Sequence, residues 1–123
     1  MDEIALKNPL ALAFLGDAVI KQWVSRILVE NTSVDLNTLH RRAASIVCAR
    51  NQSELYEKIK PTLTEVEENI ASRAFNAKHK TTPKNCTLKE YRGATALEAL
   101  IAYHSLRGNE ARLNEILGDI VPC

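Results

Sequence analysis

Apolar residues recur at spacings of three and four along almost the whole of this 123-residue chain, and that period is helical. Leu12, Leu15, Val19, Trp23 and Ile27 form one such stripe. Leu10, Phe14, Ala18 and Val24 widen it, so the first helix is expected to be buried on more than one side. Asn8-Pro9 supplies a cap and a proline at the first helical position, and Asn31-Thr32-Ser33 interrupts the pattern, which predicts a helix over about residues 9–29. A second helix is expected over about residues 36–51, capped by Asp35, with Leu36, Leu39, Ala43, Ile46 and Val47 as its apolar face. A third, over about residues 52–58, stops before Pro61. Thr64 with Glu67 and Thr87 with Glu90 read as capping boxes opening helices that reach about residues 77 and 106. In the latter, Leu97, Leu100, Ile101 and Leu106 are core candidates. Gly108 closes it, and a short helix follows over about residues 110–117. Residues 79–86 (HKTTPKNC) are polar and aperiodic and read as a loop. With 4 glycines, 4 prolines and no alternating segment, the chain is expected to be an all-α helical bundle, one domain over residues 1–123.

Composition narrows the classes further. A hydrophobic fraction of 46% with 25% charged residues is that of a folded chain with a real core. No apolar run approaches the ~20 residues that span a bilayer. The acids near the N-terminus and Asp17 within its apolar stretch make a poor secretory leader, so neither export nor a membrane partner is expected. Cys48, Cys86 and Cys123 are odd in number, lack a CxxC pair, and read as reduced thiols in the cytoplasm. The net charge of +1 hides an asymmetry. Arg73, Lys78, Lys80, Lys84, Lys89 and Arg92 stand against the single acid Glu90 between Ile70 and Arg92, a window of +5 that leaves −4 for the rest. Such a patch suits a polyanion partner, or equally a solvated loop between basic helix ends.

Two carboxylates sit where packing alone would not put them. Asp17 lies in the apolar first helix beside Gly16, and Glu98 lies within ALEALIA. A carboxylate near a core face is paired, protonated or bound to a metal. A glycine inside a helix costs up to ~1 kcal/mol against alanine, so Gly16 signals close approach of a helix or ligand. If the two acids meet, a hard cation such as Mg²⁺ is the natural ligand, able to activate water and offset phosphate charge. If they do not, each pairs with a base or faces water at a helix edge. His40, His79 and His104 lack metal-site spacing, and no glycine-rich phosphate loop is present.

Phe14-Leu15-Gly16-Asp17-Ala18-Val19 resembles the signature helix of the ribonuclease III family, and Leu97-Glu98-Ala99-Leu100-Ile101 resembles that family's second acidic motif. With Leu39-His40-Arg41, Asn76-Ala77-Lys78, Thr82-Pro83-Lys84-Asn85 and Tyr91-Arg92, the resemblance covers about residues 8–117 and is closest to the short Mini-ribonuclease III branch, a catalytic domain without a double-stranded-RNA-binding domain. The chain departs from the wider family pattern at Ala13 and Thr95, where that pattern has acids, and both departures fit the branch. It departs from the branch at Phe75, which stands where an arginine is usual.

The resemblance implies a homodimeric, Mg²⁺-dependent endoribonuclease, with Mn²⁺ as a substitute, that cuts double-stranded RNA and leaves short 3′ overhangs. It implies Asp17 and Glu98 as catalytic and metal-holding residues. The implied substrate is a large-subunit (23S) ribosomal RNA precursor, with a ribosomal protein or precursor particle as a further partner. His40, Arg41, Arg73, Asn76, Lys78, Lys84, Asn85, Tyr91 and Arg92 are the expected RNA contacts. Phe14 and Trp23 are the expected dimer contacts, or else ordinary core residues. The alternative is a catalytically inactive RNA-binding or ribosome-associated module, which the loss of two family acids favours.

Overall fold

A computed structural model describes residues 2–78, 83–118 and 120; residues 79–82 of the expected loop and Cys123 lie outside the described residues. Among the described residues six α-helices follow one another: α1 (Pro9–Asn31), α2 (Leu36–Ile46), α3 (Ala49–Ile59), α4 (Glu65–Phe75), α5 (Leu88–Leu106) and α6 (Glu110–Leu117), with a 3₁₀ turn at Lys60–Thr62 after α3. No strand occurs among the described residues, and no helix there is long and apolar enough to cross a membrane. The expected all-α class is what the chain adopts.

Helix α5 is the axis. Eleven of its 19 residues are buried, from Gly93 to His104, and α1, α3 and α4 pack around it, with α6 against its C-terminal end. The local signals that start these helices act as their chemistry requires. Asn8 accepts hydrogen bonds from the Leu10 and Ala11 amides, and Asp35 accepts one from Thr38. Both capping boxes close reciprocally, Thr64 with Glu67 and Thr87 with Glu90. Gly108, at φ 69°, takes the left-handed conformation that ends α5.

Three expectations are corrected. The buried stripe of α1 is Leu12, Ala13, Gly16, Ile20, Val24 and Leu28, rotated from the expected face; Leu15, Val19, Trp23 and Ile27 are only half-buried. A helix apolar on nearly every side carries little directional signal, so its neighbours choose the face. Leu36 and Leu106 are exposed rather than core residues. The break between α2 and α3 falls at Val47-Cys48, several residues earlier than expected, with Cys48 in extended conformation (φ −141°, ψ 156°). The Asn51 side chain explains how: its amide donates to the Ser45 carbonyl at 2.8 Å and the Ile46 carbonyl at 3.3 Å, sealing the orphaned end of α2 from the first turn of α3.

One buried polar cluster locks the far end of the bundle. Glu67 of α4 accepts from the Thr64 amide at 2.9 Å, from Arg112 of α6 at 2.8 and 3.2 Å, and it bonds His104 Nε2 of α5 at 2.7 Å. Burial alone would raise the Glu67 carboxyl, but the Arg112, Thr64 and His104 hydrogen bonds outweigh it and bring the pKa down to about 2. His104 is pushed below its ordinary value, first by burial, so it sits beside Glu67 as a neutral donor.

Candidate active site

The site is built on the crossing of α1 and α5. A Cβ placed on Gly16 would lie 1.8 Å from the Glu98 carbonyl oxygen and 2.8 Å from its Cα. Only a hydrogen at position 16 lets the two backbones touch, which answers why an apolar helix keeps a glycine in its interior. The consequence is chemical. Asp17, the next residue on α1, and Glu98, the residue that Gly16 touches, are hydrogen-bonded through their carboxyls. Both are half-buried.

The electrostatics follow from that apposition. Burial of Glu98, then its hydrogen bond to Asp17 and the charge there, raise its pKa to about 8, with the Gln52 hydrogen bond and the Lys21 charge pulling the other way. At neutral pH Glu98 therefore keeps its proton. Lys21, one helical turn beyond Asp17, places its Nζ 3.0 Å from Asp17 Oδ2. Gln52, in the first turn of α3, is buried and is the Glu98 partner on that helix. A second close approach seats α3: a Cβ on Gly93 of α5 would lie 2.4 Å from Ser53 Oγ, so Gly93 lets α3 approach beside Gln52.

The donor set suits a small hard cation. A half-buried pair of carboxyls, one of which keeps a proton chiefly because of burial, is a place where a divalent ion can replace that proton. Two carboxylates with the remaining positions left to water is a coordination Mg²⁺ accepts. No group of three or more His, Cys, Asp or Glu able to hold a metal occurs among the described residues. At the two positions where the wider family pattern has acids, Ala13 is buried, and Thr95 is buried with its hydroxyl donating to the Tyr91 carbonyl of its own helix at 2.9 Å.

The expected RNA contacts are placed unevenly. His40, Arg41, Asn76, Lys78, Lys84 and Asn85 are exposed. Arg41 donates to Thr38 Oγ1 at 3.1 Å, and Asn76 donates to the Ser72 carbonyl at the end of α4. Tyr91 and Arg92, in the first turns of α5, are half-buried, and Arg92 Nε is buried with no hydrogen-bond partner among the described residues. Arg73 differs in kind: its guanidinium donates to the carbonyls of Ala5 and Lys7 and to Asn69 Oδ1, clamping the N-terminal segment onto α4. Its donors are used inside the fold. Phe75, in place of the branch's usual arginine, pairs with the Tyr56 ring at 6.3 Å between centroids. Phe14 is 83% exposed, so it is not a core residue of the chain, whereas Trp23 packs against the core.

Lys21 and Gln52 are the site residues that sequence reasoning missed. The spacing of four from Asp17 was a usable signal for Lys21; nothing local marks Gln52.

Similarity to known proteins agrees with this geometry. Residues 10–109 match the Ribonuclease III domain. The chain is 44% identical over 112 residues to the Mini-ribonuclease 3 of Brevibacillus brevis, covering 91% of this chain and 84% of that one. It is 40% identical over 109 residues to the Mini-ribonuclease 3 of Symbiobacterium thermophilum, covering 89% and 84%. The crystal structure of a Fusobacterium nucleatum protein superposes with a TM-score of 0.87 at 35% identity, over 96% of this chain and 94% of that one. The chain belongs to the ribonuclease III family, a family of endoribonucleases. Within it, the likeness is to the Mini-ribonuclease III branch.

Proposed function

We propose that this endoribonuclease hydrolyses double-stranded RNA at the Asp17–Glu98 pair with Mg²⁺ as its cation, Mn²⁺ substituting, and that its substrate is a large-subunit ribosomal RNA precursor, free or within a precursor particle. The observation that carries the reading is the contact at Gly16, which brings two carboxyls together at the α1–α5 crossing, where burial and then the Asp17 carboxyl raise the Glu98 pKa to about 8. When bound, the cation would lower the pKa of attacking water and offset charge on the scissile phosphate.

The chain's own residues do the rest. Asp17 and Glu98 would hold the ion, Glu98 losing its proton to solvent as it does so. Gln52, from α3, favours the ionised form of Glu98 through its hydrogen bond. Hydrolysis adds water across one phosphodiester, leaving a phosphomonoester on one fragment and a hydroxyl on the other. The exposed Arg41, Lys78 and Lys84 supply charge suited to the phosphates of an A-form duplex, which is recognised mainly by shape and backbone. The ring of Phe14, on the site's own helix, suits a two-fold contact with a second copy, which would give each RNA strand its own site. Cys48 and Cys86, free thiols, fit a reducing cytoplasm.

The test is cleavage of an end-labelled RNA duplex, with and without Mg²⁺, by wild type, Asp17→Asn and Glu98→Gln. Metal-dependent cleavage by wild type alone is expected. Duplex binding at low salt without cleavage by any of the three would replace this reading with that of an inactive RNA-binding module, the reading that Ala13 and Thr95 favour.

A further inference from the structure

Lys21 is a cation inside an acidic site, and charge balance gives it a task. Its Nζ lies 3.0 Å from Asp17 Oδ2, so in the free protein the ammonium occupies a carboxylate oxygen that a divalent cation would need. A divalent cation on the two carboxylates cancels both of their charges and leaves Lys21 as surplus positive charge. One phosphate of an RNA strand would restore neutrality. The geometry permits the exchange: Lys21 is one turn from Asp17 on the same face of α1, and its side chain is 62% exposed against 41% for Asp17. An ion pair that open to water is weak and easily given up. Once displaced, the ammonium stays on a four-carbon stem beside the place a scissile phosphate must occupy.

We propose that Lys21 couples metal binding to RNA binding: it sits on Asp17 in the free enzyme, and moves to a phosphate of the bound duplex when the divalent cation takes its place. The inference rests on the reading of Asp17 and Glu98 as the metal-holding pair. It follows that the free protein binds metal poorly and the RNA-bound protein binds it well, with the reciprocal effect of metal on RNA affinity.

Mn²⁺ binding to the free protein, followed by electron paramagnetic resonance, tests one half. Lys21→Gln is expected to bind Mn²⁺ at least about 5-fold more tightly than wild type, with Lys21→Arg close to wild type. Duplex binding in Ca²⁺ across a range of KCl concentrations tests the other. Lys21→Gln is expected to bind more weakly, with the log–log salt slope shallower by about one phosphate contact. Unchanged or weaker Mn²⁺ binding by Lys21→Gln, or an unchanged salt slope, overturns the coupling. Asp17→Asn separates the two levels. If it binds Mn²⁺ as wild type does, the metal site itself is misplaced and the Lys21 inference falls with it. If it loses Mn²⁺ while Lys21→Gln matches wild type, only the role of Lys21 is refuted.

Discussion

Replacing Gly16 by alanine pits two effects of opposite sign against each other. In an unobstructed helix interior the change stabilises by about 0.8–1.0 kcal/mol, because alanine restricts the unfolded chain and is the better helix former. Here the new methyl would start 1.8 Å from the Glu98 carbonyl oxygen, whereas real Cβ contacts stay beyond 3.0 Å, so α1 and α5 must part by at least about 1.2 Å. The obstacle is backbone, which cannot swing aside. On either side of the contact Leu12, Ile20, Leu97 and Ile101 are at most 2% exposed, so the separation loosens well-packed apolar surface along both helices. Overpacking of this kind costs about 1–3 kcal/mol and sometimes more, and backbone placement puts Gly16 at the upper end. The net expectation is a loss of about 2 kcal/mol and a fall in Tm of about 8 °C for a domain of this size. The same displacement separates Asp17 from Glu98, and an error near 1 Å at reacting groups costs about 100-fold in rate. Thermal unfolding by circular dichroism and single-turnover cleavage of a duplex measure the two effects. A Gly16→Ala protein with unchanged or raised Tm and wild-type cleavage would refute the argument that this glycine sets the site.

Four further outcomes are expected. Gly93→Ala should destabilise by about 1–2 kcal/mol through its clash with Ser53, and Ser53→Gly in the same chain should recover part of that loss, a coupling that urea denaturation of the four-member cycle reads directly. Because the folded Glu98 carboxyl titrates near 8 against an ordinary 4.5, its contribution is fully present below pH 4.5 and is lost as pH rises toward 8; unfolding of metal-free wild type in EDTA should show this fall, and Glu98→Gln should lack it. Glu67 behaves oppositely: its pKa of about 2 contributes about 3 kcal/mol above pH 4.5 that drains away as pH falls toward 2, so Glu67→Gln should be less stable at pH 7 and show a flatter acid limb. Phe14→Ser should shift the sedimentation equilibrium toward monomer without lowering the Tm of the monomer, since its ring is 83% exposed within one chain.

Much of this molecule was written locally. Asn8, Asp35, Thr64 and Thr87 start their helices because a cap needs only a side chain and the next three amides, all within one turn of sequence. Asp17 and Glu98 stood out because a carboxylate among apolar neighbours is costly wherever it ends up, and Gly16 because a helix loses stability to keep it. The face that α1 buries was not written there, since a stripe of apolar residues on nearly every side gives no preferred direction until α5 supplies a partner. Nor was the use of charge. Arg73 reads as a free cation in sequence and is consumed by the Ala5 and Lys7 carbonyls, which lie more than sixty residues away along the chain. Gln52 is one unremarkable polar residue until α3 is pressed onto α5 at Gly93 and its amide meets Glu98. Sequence alone determined the helices, the starts that carry a side-chain cap and the two acids, because these follow from interactions within a few residues. The tertiary structure decided which surfaces meet, and with them the proton that Glu98 keeps and the lysine that Asp17 holds, because burial and charge act across space rather than along the chain.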